Sequence, residues 1–115
     1  MHLKNWSLIY PDRRTPALSP AYDLLSTIPY IEGEDTAAPN FSRTEKMAAL
    51  SLDELAHLAS KAALSEKLML DTARKTVERF RAVWDAEKAN LPMVAKVRDM
   101  VDTHAPSIEL YREST

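Results

Sequence analysis

Ser51-Leu52-Asp53-Glu54-Leu55-Ala56-His57-Leu58-Ala59 marks the point where the chain becomes helical. Ser51 is placed to accept from the N–H of Glu54, and Glu54 to reach back, which is a capping box. Leu52, Leu55, Leu58, Ala59 and Ala62 then fall on one face of a helix. Ser65 reads as a second N-cap, opening a long helix that should run to about Asn90. Its apolar stripe is Met69, Ala73, Val77, Phe80 and Trp84, at spacings of three and four. Asn90-Leu91-Pro92 predicts a third helix start, because proline is tolerated in a first turn. Val94, Val97 and Val101 give that helix an apolar side, and Pro106 stops it beyond His104. Residues 107–115 are polar and expected to fray.

Upstream of Ser51 the composition changes. Five of the seven prolines lie in residues 1–50, at positions 11, 16, 20, 29 and 39. Proline fixes φ and removes a donor, so short strands and turns are expected here. Trp6-Ser7-Leu8-Ile9-Tyr10 is aromatic and β-branched and reads as a strand. Pro11-Asp12-Arg13-Arg14 has turn chemistry, and residues 15–18 return as a second short strand. Residues 21–26 suggest a helical turn, and residues 32–43 a polar loop. The expected fold is mainly α, with a short N-terminal β-hairpin. It divides into residues 1–50, a helical bundle over 51–106 and a polar tail over 107–115.

Composition narrows the chemistry. With 115 residues the chain is one domain at most. Fifteen Lys and Arg against 17 Asp and Glu give a net charge of −2, so no basic field draws in nucleic acid. Cysteine is absent, which excludes disulfides, thiolate catalysis and Cys-based zinc sites. The single glycine, Gly33, is the oddest figure, since average usage would give about eight. A phosphate-cradling loop needs several converging backbone N–H groups and close-set glycines, so none is encoded here. No apolar run spans a membrane and the N-terminus has no secretory h-region, so a cytoplasmic location is expected.

The informative segment is the first 23 residues. His2-Leu3-Lys4-Asn5 precedes the apolar strand, and Ser19-Pro20-Ala21-Tyr22-Asp23 follows the hairpin. A hairpin joining them brings Asn5 and Asp23 toward each other. An amide oxygen and a carboxylate are hard ligands suited to Mg²⁺, and kinases hold their metals with such a pair. Taken alone, an Asn and an Asp 18 positions apart are more often turn and cap residues. His57 and His104 have no ligand partners at helical spacing. Arg74, Lys75, Arg79 and Arg81 alternate with Asp71, Glu78 and Asp85, which reads as a solvated, salt-bridged face.

The pattern H-x-K-N, a hydrophobic strand, then S-P-A-Y-D-L resembles the HipA family of bacterial toxin kinases, the Ser/Thr kinases of type II toxin–antitoxin modules. Met47-Ala48-Ala49-Leu50-Ser51-Leu52 is similar to that family's M-A-L-S segment. The resemblance implies a helical C-terminal kinase subdomain. Asn5 and Asp23 would be its metal ligands, and His2 and Lys4 catalytic-loop residues, His2 bracing the loop and Lys4 facing phosphate or substrate. The family's catalytic Asp stands two positions before the His, which is ahead of Met1. The expectation is therefore a truncated Ser/Thr kinase piece, inactive alone, whose parent reaction moves the γ-phosphate of ATP with Mg²⁺. Neither cofactor is expected on this chain by itself. The partners implied are an upstream kinase piece or a HipB-like antitoxin, with nucleic acid met only through the antitoxin. An exposed apolar patch is also expected, which should drive self-association or binding to a missing kinase piece. A non-enzymatic helical module that docks to a kinase or antitoxin is the alternative.

Overall fold

The computed structural model describes residues 5–22, 27–38 and 40–114. Among them are four α-helices and one two-stranded antiparallel hairpin, so the chain is mainly α. The strands are β1 (Leu8–Ile9) and β2 (Ala17–Leu18), with Leu8 opposite Leu18 and Ile9 opposite Ala17. Both are shorter than the apolar runs that announced them. Asp12 sets the turn between them. Its Oδ1 accepts from the backbone N–H of Arg14 at 2.9 Å and of Thr15 at 2.6 Å, and its Oδ2 accepts from the Thr15 hydroxyl at 2.7 Å. This carboxylate cradle lets Arg13 take a left-handed φ of 61°.

The loop that follows doubles back on itself. Ala37 donates to the carbonyl of Glu45 and Met47 to that of Asp35, around an isolated bridge between Thr36 and Lys46. The helical turn expected over residues 21–26 falls largely outside the described residues.

Helix α1 (Leu52–Lys61) starts where the serine places it, with Ser51 Oγ accepting from the Glu54 N–H at 3.1 Å. The reciprocal arm is diverted. Glu54 binds Arg43 instead, accepting from its backbone N–H at 3.0 Å and from Nε at 2.8 Å. The Leu52 N–H finds Glu113 Oε2 at 2.8 Å, a partner 61 positions away. Arg43 also reaches Asp53, and these bonds hold the Glu54 carboxyl below its ordinary range, the Arg43 backbone N–H first among them. At the far end, Ala63 occupies the left-handed region at φ 54°, a place usually given to glycine.

Helix α2 (Glu66–Glu87) is capped by Ser65, whose Oγ accepts from the Leu68 N–H at 3.3 Å. It ends three residues short of Asn90. The third helix does not begin at Pro92. Residues 91–94 form a connection, and α3 (Ala95–His104) starts after Val94, with Arg98 Nε capping the Lys88 carbonyl at 2.9 Å. Trp84 Nε1 and Lys88 Nζ both donate to Asp102 Oδ1, at 2.8 and 2.9 Å, which ties α3 to the end of α2. Those two donors, the indole first, lower the Asp102 carboxyl's affinity for protons.

The tail is a correction. Residues 107–115 were expected to fray, yet α4 (Glu109–Glu113) forms and packs back on the fold. Leu110 is 8 % exposed, and its N–H donates to the Leu50 carbonyl at 2.7 Å. Tyr111 meets Phe80 edge-on with centroids 6.3 Å apart, and the Arg81 guanidinium lies 3.9 Å over the Tyr111 ring. Arg81 also donates to the Tyr111 carbonyl. It therefore leaves the solvated basic face to which its spacing assigned it.

The interior is small. Ala59 and Leu110 are buried, as is Pro29 in the loop, and no large side chain among those described is fully enclosed. The accessible surface is 8554 Å², against roughly 6,300 Å² for a compact monomer of this mass. The radius of gyration is 15.9 Å, against roughly 13 Å for a compact domain of this length. No described helix is long and apolar enough to cross a membrane.

Candidate functional site: the hairpin and its flanks

Four residues were singled out by sequence, and they are not equally placed. Asn5 is described, half-buried, just ahead of β1. His2, Lys4 and Asp23 lie outside the described residues.

The geometry between them is set by the hairpin. Antiparallel register pairs Leu8 with Leu18 and continues outward, with the Ser19 N–H donating to the Ser7 carbonyl at 2.9 Å. Beyond that, Ser7 Oγ and the Tyr22 hydroxyl share a hydrogen bond of 2.7 Å. The segment that leaves Asn5 is thus bonded to the segment that leads into Asp23. The physical cause is local: Asp12 and Pro11 force the turn, and one ladder then fixes which residues face each other.

The donor chemistry of Asn5 and Asp23, one amide oxygen and one carboxylate, suits a hard cation such as Mg²⁺. Two protein ligands are few, and Mg²⁺ commonly completes its octahedron with water and substrate phosphates. The single glycine does not serve a phosphate. Gly33, at φ 77°, sits in a turn between Ile31 and Asp35.

Around the hairpin the surface is apolar and uncovered. Trp6, Leu8, Ile9, Tyr10, Leu18 and Tyr22 are all exposed. Sequence reasoning missed the Ser42–His57 contact, 2.8 Å from Oγ to Nδ1, which gives the seemingly isolated His57 a partner. No local signal foretold it, because it joins a loop to a helix across 15 positions.

Residues 1–84 match the HipA-like C-terminal domain. The chain belongs to this family. The HipA-like chain is also 86 % identical over 113 residues to a Sinorhizobium fredii (strain NBRC 101917 / NGR234) protein named "Putative kinase Y4dM". That match covers 98 % of this chain and 28 % of the relative, so the HipA-like chain spans less than a third of the relative's length. No solved structure matches it.

Proposed function

We propose that this chain is the metal-holding part of a HipA-like Ser/Thr kinase, with Asn5 and Asp23 as the Mg²⁺ ligands. The observation that supports this most is the hairpin, whose ladder and Ser7–Tyr22 side-chain bond join the chain just after Asn5 to the chain just before Asp23. Bound Mg²⁺ would neutralise charge on the β- and γ-phosphates of ATP during transfer to a protein hydroxyl in a toxin–antitoxin setting. The chain's own contribution is orientation. A two-residue ladder and the Ser7–Tyr22 bond hold the flanks of the two ligands together, and the roles assigned to His2 and Lys4 are bracing the loop and meeting phosphate or substrate. Phosphoryl transfer rests on positioning and electrostatics, and one glycine cannot build the phosphate cradle. The chain alone is therefore inactive.

The test is a chimera in which these residues replace the matching 28 % of the Sinorhizobium relative. Transfer from γ-labelled ATP should fall by about 100-fold or more in Asn5→Ala and in Asp23→Ala. The isolated chain should transfer nothing. A folded chimera without transfer, undiminished transfer in both variants, or transfer by the isolated chain would overturn the proposal.

A further inference from the structure

The longest helix carries a face that the described residues leave largely exposed. Two hollows lie along α2. The first, of about 410 Å³, is lined chiefly by Leu55, Leu58, Leu64, Leu68 and Met69 where α1 meets the start of α2. The second, of about 460 Å³, lies further along, among Thr76, Arg79, Phe80, Val83 and Trp84. At 100° per residue the α2 positions lining both hollows share one side of the helix, so they form a continuous strip about 30 Å long. Leu68 and Val83 on it are 68 and 59 % exposed, and Leu64, just ahead of the helix, 57 %.

Area indicates what kind of occupant is needed. The chain exposes about 2,200 Å² more than a compact monomer of its mass, while a standard interface takes about 800 Å² from each partner. One occupant of ordinary size would not consume the surplus, whereas a large covalent or obligate neighbour would. The 86 %-identical relative has such a neighbour: 72 % of its length lies outside the match. At 86 % identity, the strip here is close to the one that would face those residues. A second copy is a poorer candidate. A two-fold contact of standard size would take about 800 Å² from each copy and leave most of the surplus exposed.

We infer that the α1–α2 groove and the Thr76–Val83 stretch are the docking face for the remaining polypeptide of a HipA-like kinase. The inference deepens the kinase reading, since it names the surface through which the metal-holding piece is joined to the rest. Leu68 and Val83 are the apolar anchors at its two ends, and Arg79 offers a cation to a carboxylate on the occupant.

The chain lacks cysteine, so single thiols report on this face. Leu68→Cys, Val83→Cys and, as a control away from the strip, Glu78→Cys are made in the isolated chain and in the chimera. Maleimide modification is followed by mass spectrometry on the peptide bearing each substitution. Leu68→Cys and Val83→Cys should react at least ten times more slowly in the chimera than in the isolated chain, with Glu78→Cys slowed less than threefold. Equal reactivity at all three sites would overturn the inference, as would protection of Glu78→Cys alone. Protection of Leu68→Cys in the isolated chain that grows with concentration would assign the face to a second copy, and also overturn it. None of these readouts requires phosphate transfer, so an inactive chimera that still protects both anchors would sink the kinase reading and leave the docking face standing.

Discussion

The hydroxyl of Tyr22 lies 2.7 Å from Oγ of Ser7. This bond ties Ser7, the end of the backbone ladder on its strand, to a residue three positions past Ser19 and next to the segment that holds Asp23. Everything proposed about the metal site depends on the turn that makes it possible.

That turn is sensitive to acid. Three hydrogen bonds, the Thr15 hydroxyl first, lower the Asp12 carboxyl to about 2 from 3.8. A carboxyl depressed on folding stabilises the hairpin above its unfolded value. Its contribution is lost as pH falls from about 3.8 through about 2. Carboxyl chemical shifts should report an Asp12 midpoint near 2, and Asp12→Asn should remove the acid sensitivity of the Ser7 and Ser19 amide signals. An Asp12 midpoint at the ordinary value would show that the cradle does not form.

The left-handed residue after α1 is an alanine. Ala63 at φ 54° carries a Cβ in a region that costs an L-residue about 1–2 kcal/mol. Glycine avoids that cost and loses about 0.5–1 kcal/mol of it again through the entropy of the unfolded chain. Ala63→Gly should therefore raise stability by about 0.5–1 kcal/mol in urea unfolding. A destabilised variant would mean the helix ends differently.

The C-terminal helix should be part of the cooperative fold. Leu110 is buried and its N–H bonds Leu50, so Leu110→Ala should cost about 2 kcal/mol. It should also speed amide exchange at Leu52, whose N–H depends on Glu113. A neutral substitution would return residues 107–115 to the frayed tail that their polarity suggested.

What was legible in the sequence was local. Ser51 and Ser65 announce their helices because a cap needs only a serine and the N–H three residues on. Pro11 and Asp12 announce the hairpin for the same reason. What escaped was settled across the fold. Glu54 turns to Arg43, Asp102 gathers Trp84 and Lys88, and α4 forms around a single leucine held by partners about 60 positions away. The start of α3 was misplaced because Pro92 marks a possible first turn without enforcing one. Of the site, the hairpin that joins its flanks was readable from residues 5–22. The metal pairing itself rests on residue chemistry and family membership, because Asp23 lies outside the described residues.

The most direct test of that pairing is paramagnetic. Two ligands hold Mg²⁺ too weakly to retain it at ordinary concentrations. Mn²⁺ shares the oxygen preference of Mg²⁺ and broadens nearby signals even at low occupancy, so it can be titrated to millimolar concentration into ¹⁵N-labelled chain. The account predicts that the Asn5 side-chain amide and the Tyr22 and Asp23 backbone amides broaden together, and that Asp23→Ala abolishes the effect at Asn5. Broadening at Asp53 or Asp71 that leaves Asn5 sharp, or an Asn5 response unchanged in Asp23→Ala, would contradict it.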